Sequence, residues 1–262
     1  MHPILFSVFG WQIPSFGAMM ALGFLAAFFW LARRLRQAGL SPDFFWEAAP
    51  LMILAAVVGA RAFYFIFFPD VFFRDPLGAI LSRGGLVWYG GMIGLILAVW
   101  ALCRWKRAPF YVFTDAMSPP AALGLAIGRV GCFLAGCCYG GPCALPWAVA
   151  YPTGHPTHGA HVHPAPLYES ALTLILAWGL TALGRRWRAP GVVSWSFVLG
   201  YGLIRFVTES VRGDRLIWLP ELNLSASQAI SLIGAALGVA MLVHIARRAP
   251  AAASGASQAA RV

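Results

Sequence analysis

The chain has 262 residues, of which 60% are hydrophobic and only 11% charged, and its formal net charge is +10 at pH 7. Soluble domains carry about 25% charged residues, so with a mean hydropathy of +0.74 a water-soluble helical protein is excluded and a polytopic membrane protein is expected. The order of the basic residues, taken below, explains the positive charge without nucleic acid.

The N-terminal stretch MHPILFSVFGWQIPSFG has no basic leader and no small-residue cleavage site, so it reads as retained. A spanning helix needs about 20 mostly apolar residues. Seven stretches meet or approach that length: 16–33, 45–68, 84–103, 112–137, 166–184, 191–211 and 225–246. Arg33, Arg34 and Arg36 follow the first, and Arg104, Lys106 and Arg107 the third; Arg185, Arg186 and Arg188 follow the fifth, and Arg247 and Arg248 the last. Two spans separate each cluster from the next, which puts all four on one face, and the positive-inside rule makes that face cytoplasmic. The expected fold is therefore an all-α polytopic membrane protein of seven transmembrane helices, N-terminus outside and C-terminus cytoplasmic. Residues 1–249 form one membrane domain, with a small periplasmic head at 139–165 after the fourth span, and 250–262 form a disordered cytoplasmic tail. Segment 69–83 reads equally as an amphipathic helix on the outer surface or as a loop. There is no internal repeat.

The remaining basic residues, Arg61, Arg74, Arg83, Arg129, Arg205, Arg212 and Arg215, fall in the outward half of this topology or within its spans. Arg129 lies inside the apolar, glycine-rich run GLAIGRVGCFLAGCCYGGPC at 124–143. An arginine at mid-membrane costs roughly 2.5–3.5 kcal/mol on insertion scales, so it is expected to face a partner or an anionic ligand. Tyr201, Arg205 and Glu209 recur at i, i+4 and i+8, which places them along one helix face. Two guanidiniums on separate spans can clamp a phosphodiester in bidentate fashion; pairing of Arg205 with Glu209 and of Arg129 with Glu169 is the plain alternative, and an ion pair that opens for a ligand satisfies both. Gly124, Gly128, Gly131 and Gly136 have the spacing of close helix packing, while Gly140 and Gly141 are expected to end the helix. Cys137, Cys138 and Cys143 are expected on the outer side, where disulfides persist. Four readings of these thiols and Cys132 stay open: a Cys138–Cys143 or Cys137–Cys143 disulfide, buried free thiols, a metal or haem site with His155, His158, His161 and His163, or a nucleophile. The spacing matches no standard metal template, so no metal or cofactor is expected. Tyr89, Tyr168 and Gln228 are either interfacial belt residues or part of a site.

These residues also carry a resemblance. GRVGCFLAGCCYGG around Arg129, HPAPLYE at 163–169 and YGLIRFVTESVRGD at 201–214 resemble segments of the bacterial phosphatidylglycerol–prolipoprotein diacylglyceryl transferases. VWYGGMIG at 87–94, GARAFYF at 59–65 and HPILFSVFG at the start are similar more weakly, and the likeness runs in order over nearly the whole chain. It implies transfer of a diacylglyceryl group from phosphatidylglycerol to the lipobox cysteine of an exported prolipoprotein, in the bacterial inner membrane, with glycerol phosphate leaving. It further implies that Arg129 binds the headgroup and Arg205 stabilises the departing phosphate, with Glu209, Glu169 and Gly140 in support. Tyr89 is taken as catalytic alongside Arg205 and Glu209, and Arg61, Tyr201 and Tyr168 as substrate-binding alongside Arg129. The pattern departs from the family at four places. Tyr89 stands where a histidine is usual, Phe16 where a tyrosine is, and Cys132 and Cys137 where an asparagine and a glutamate are. A phenol with an ordinary pKa of about 10 is a weak base at neutral pH. Two other functions are therefore set beside the transferase: a membrane thiol-redox or metal protein built on the Cys/His cluster, and a non-catalytic lipid-binding paralogue.

Overall fold

The computed structural model describes residues 3–8, 11–81, 87–215, 217–219 and 224–259; at 8, 11, 42–45, 47–48, 71, 80–81, 88–89, 217–219 and 249–259 it gives the backbone alone. Each of the expected apolar stretches is matched by a helix among the described residues: α1 (Ser15–Gln37), α2 (Pro42–Phe67), α5 (Trp88–Trp105), α6 (Phe110–Ala135), α7 (Ala165–Arg186), α8 (Val192–Ser210) and α9 (Ala226–Ala259). Among the described residues five segments are long and apolar enough to cross a membrane: Ser15–Gln37, Ala49–Phe67, Phe110–Ala135, Ala165–Arg186 and Ala226–Arg248. Gly90–Trp105 is apolar but shorter. Their outer faces are apolar: Phe29, Leu54, Ile175, Trp178 and Ile233 all stand exposed. Such a surface fits lipid, not water, and the protein is a multi-pass membrane protein. Arg34 and Arg36, Arg104, and Arg185 and Arg186 occupy the last turns of α1, α5 and α7, where the helix dipole favours cations.

Segment 69–83 is neither one surface helix nor a loop over its described part. It forms two short helices, α3 (Pro69–Arg74) and α4 (Pro76–Leu81). The break falls at Asp75, which is extended (φ −149°, ψ 85°), because a residue before proline is driven out of the helical region. The Asp75 carboxylate then accepts from the Gly78 N–H at 3.0 Å. The helices are accompanied by three two-stranded ribbons that the all-α reading leaves out: β1 (Ile4–Val8) with β2 (Trp11–Pro14), β3 (Val149–Ala150) with β4 (His161–Val162), and β5 (Ile217–Leu219) with β6 (Leu224–Ser225). The strands are too short to show the alternation that announces a sheet. At the other end of the chain α9 runs from Ala226 to Ala259.

Within the expected membrane domain two compact units are distinguishable, residues 32–113 and the remainder. In the smaller, α2 packs on α5 through glycines: a Cβ on Gly59, Gly90 or Gly94 would run into the facing backbone, the close approach that small residues permit in membranes. In the larger, Ala122, Ala177, Leu180 and Val193 form a buried core with Trp30, Leu176 and Phe197 packed around it, which joins α1, α6, α7 and α8. Gly124 lies against Gly23, a Cβ there meeting the Gly23 carbonyl oxygen at 3.2 Å, and Gly131 lies against Met19. The helix end falls earlier than expected. Gly136, not Gly140 or Gly141, terminates α6 with φ 76°, and the Cys137 N–H reaches back to the Cys132 carbonyl at 3.1 Å, as in a Schellman cap.

Candidate functional site: an arginine–carboxylate cluster at the α6, α7 and α8 ends

α7 runs antiparallel to α6 and α8, so the end of α6, the start of α7 and the end of α8 lie together. Ser170 Oγ on α7 donates to the Ala126 carbonyl of α6 at 2.7 Å, which fixes the first turns of α7 beside Arg129. Glu169 is then the centre of the cluster. Its Oε1 receives Arg129 Nη2 at 2.8 Å and the Tyr201 hydroxyl at 3.0 Å. Its Oε2 receives Arg205 Nη1 at 3.3 Å. One turn further along α8, Glu209 Oε2 pairs with Arg205 Nη2 at 2.6 Å and lies 3.7 Å from Arg212 Nε. Tyr201, Arg205 and Glu209 thus share one helix face, and Arg129 comes from a second helix onto the same carboxylate.

Exposure is divided unequally within this cluster. The side chains of Glu169 and Glu209 are each 4% exposed, against 18% for Arg129 and 14% for Arg205. The carboxylates form a buried backing, and the arginine side chains keep part of their surface exposed. A buried carboxylate unpaired would be strongly unfavourable, so the acids hold the arginines as much as the arginines neutralise the acids.

The second layer comes from α9 and from the segment after α8. Ser225 Oγ donates to Glu209 Oε1 at 3.0 Å, the Ser225 N–H donates to Gln228 Oε1 at 3.0 Å, and Gln228 Nε2 donates to Ser210 Oγ at 3.2 Å. Ser227 Oγ lies 3.5 Å from Arg205 Nη2. Arg212 makes a bidentate pair with Asp214, both contacts at 2.8 Å. Gly140 is built into the backbone around it: its N–H donates to the His163 carbonyl at 3.0 Å, it bridges to Arg212, and a Cβ would collide with His163. Gly141 donates to the Val211 carbonyl at 2.8 Å and Gly213 to the Tyr139 carbonyl at 3.0 Å. The head segment is therefore pinned to the end of α8.

Of the other expected site residues, Tyr168 precedes Glu169 but turns to different partners, accepting from Trp147 Nε1 at 2.7 Å and lying 3.3 Å from His163 Nδ1. Arg61 sits half-buried on α2, in the smaller unit. Tyr89 is in the first turn of α5, and its side chain lies outside the described residues, as does all of Arg83. Arg212, Ser225 and Ser227 were not singled out for the site; the i, i+3 spacing of Glu209 and Arg212 is the one sequence signal that points to any of them.

All five cysteines are free, so neither expected disulfide with Cys143 is formed. Cys143 instead is buried and accepts the Leu145 N–H at 3.4 Å. Cys138 Sγ lies 3.8 Å from Arg129 Nη1. Cys137 Sγ donates to the Cys132 carbonyl oxygen at 3.6 Å. The histidines do not join the thiols as ligands: among the described residues the cluster with metal-binding spacing is Cys132, Cys137 and Cys138 alone.

Fold and cluster together define a polytopic membrane protein with a compensated cationic centre at one end of its helices. The sequence comparisons place it more narrowly. The family model described as prolipoprotein diacylglyceryl transferase matches residues 3–244. The chain is 35% identical over 244 residues to the phosphatidylglycerol–prolipoprotein diacylglyceryl transferase of Clostridium tetani, covering 91% of this chain and 96% of that protein. It is 34% identical over 252 residues to the protein of that name from Geobacter sulfurreducens (94% and 96% covered) and 34% over 252 residues to that from Vibrio cholerae (92% and 90%). The chain belongs to the prolipoprotein diacylglyceryl transferase family.

Proposed function

We propose that this protein transfers the diacylglyceryl group of phosphatidylglycerol to the thiol of a lipobox cysteine in an exported prolipoprotein. In this reaction the acceptor sulfur forms a bond to the glycerol carbon that carries the phosphate. The carbon–oxygen bond to phosphate breaks, its electron pair leaves with glycerol phosphate, and the thiol proton passes to a base. The observation that carries the reading is the pair of partly exposed arginine side chains, Arg129 and Arg205, converging from α6 and α8 on buried Glu169. A phosphodiester arriving at their outer edges gains charge-assisted hydrogen bonds, and the negative charge that grows on the leaving phosphate falls where fixed donors already point.

Arg129 is assigned to the headgroup and Arg205 to the departing phosphate. Glu169 and Glu209 position these arginines, Tyr201 orients Glu169, and Gly140 allows the head backbone to lie against His163. Arg61 and Tyr168 are assigned to the periphery of the lipid site, and Tyr89 to handling the acceptor's proton. The seven-span topology, with the N-terminus outside and the site facing the periplasm of a bacterial inner membrane, belongs to the same proposal. The curated relatives named as transferases favour it over a thiol-redox or metal protein and over a non-catalytic lipid binder. The test is incubation of membranes bearing the protein with phosphatidylglycerol and a lipobox peptide. A lipid-shifted peptide, lost in Arg129→Ala, is expected; no shifted peptide from folded protein rejects the reading.

A further inference from the structure

Three thiols meet just outside the arginine cluster. The Sγ atoms of Cys132, Cys137 and Cys138 all lie within 4.8 Å of one another. Adjacent residues such as Cys137 and Cys138 ordinarily send their side chains apart, and two left-handed residues undo that here. Gly136 (φ 76°) turns the chain at the end of α6, and Cys138 itself sits at φ 60°, a conformation that residues with a Cβ adopt at a cost. The backbone is thus bent against its own preference so that both sulfurs return toward Cys132. The sequence spacing conceals this, because it matches no standard metal template.

We propose that Cys132, Cys137 and Cys138 bind one soft cation, zinc(II) or copper(I), as a three-thiolate site at the end of α6. Metal–sulfur bonds of about 2.3 Å put the sulfurs of such a site roughly 3.8–4.0 Å apart, so the spacing of up to 4.8 Å requires only a small contraction. Thiolates without carboxylate or imidazole select soft cations over magnesium or calcium. Three thiolates around zinc(II) leave one net negative charge, around copper(I) two, and Arg129 Nη1, 3.8 Å from Cys138 Sγ, offsets part of it. Access is graded, with Cys132 buried, Cys138 half-buried and Cys137 exposed, which gives the ion a route in from outside. Cys143 takes no part, since its sulfur accepts the Leu145 N–H.

Binding is tested without substrate. The full chain, purified in detergent with a phosphine reductant and stripped with a chelator, is titrated with zinc(II) chloride and separately with copper(I), each against a chromophoric competitor. One equivalent bound per chain is expected in at least one arm, and the arms decide which ion is preferred. Cobalt(II) in the same protein should give thiolate charge-transfer absorption. Cys137→Ser and Cys138→Ser should each weaken binding on the order of 100-fold or more, while Cys143→Ser leaves it unchanged; gel filtration of each variant controls for folding. Failure of the wild-type protein to bind saturably in both arms overturns the proposal. So does binding that survives unaltered in folded Cys137→Ser and Cys138→Ser proteins.

Discussion

The two ends of α6 and α8 each hold a carboxylate, half-buried Asp115 at one and buried Glu169 and Glu209 at the other, and they use it differently. At the start of both helices Asp115 accepts from the Gly191 N–H at 2.7 Å, the Ser194 N–H at 2.8 Å and Ser194 Oγ at 2.7 Å. Every donor there is neutral, and the carboxylate serves as the missing cap of α8, whose first residue follows a left-handed Gly191. At the far end Glu169 and Glu209 accept from Arg129 and Arg205, whose side chains stay 18% and 14% exposed. The first arrangement is closed: each donor is spent on fixing a helix start. The second is open, because an arginine has more donors than one carboxylate can occupy, so an incoming anion can share the cation without unfolding the pair. The lesson is that a hydrogen-bonded acid alone does not mark a site; residual donors on its partners do.

Substitutions can break this contrast, and the largest effect is expected at Glu169. Glu169→Gln leaves Arg129 and Arg205 without their common counter-charge. Removal of one member of a buried pair costs about 3–5 kcal/mol, so transfer to a lipobox peptide should fall by roughly 10²- to 10³-fold, with melting temperature also lowered. Arg205→Lys comes next. A lysine is a point charge that cannot span Glu169 and Glu209 at once, and loss of one fixed donor to a transition-state charge costs about 10²-fold, to be read in kcat with the lipid saturating. Gly140→Ala should destabilise by about 1–3 kcal/mol, since the new methyl must displace His163; thermal unfolding in detergent measures it. Asp115→Asn should be the mildest. It weakens bonds worth about 1 kcal/mol each, shifts the melting temperature by a few degrees and leaves turnover per folded molecule unchanged. Equal losses of turnover in Asp115→Asn and Glu169→Gln would erase the distinction between the two ends.

Much of this was legible in the sequence. Long apolar runs marked every major helix, and the period of Tyr201, Arg205 and Glu209 placed them on one face because helical geometry needs no tertiary knowledge. Arg129 is conspicuous as a charge that an apolar helix carries only with a partner or an anionic ligand, and Glu169 is its partner in the plain alternative. What the sequence hid depended on contacts between distant segments or on single dihedral angles. Asp115 resembles any lone acid near a helix start until Gly191 and Ser194 are seen beside it. The thiol cluster depends on left-handed Gly136 and Cys138, which no periodicity announces. The end of α6 was misplaced for a related reason: three glycines, Gly136, Gly140 and Gly141, could each stop a helix, and only packing against His163 and Val211 commits the last two to the head.

The central claim is that the outer edges of Arg129 and Arg205 hold the phosphate of an anionic lipid. Native mass spectrometry of the detergent-purified protein, equilibrated with equal amounts of phosphatidylglycerol and phosphatidylcholine, tests it most directly. The wild-type protein should retain phosphatidylglycerol preferentially, and folded Arg129→Ala should lose that preference; equal retention of the two lipids by the wild type, or an unchanged preference in the variant, would contradict it.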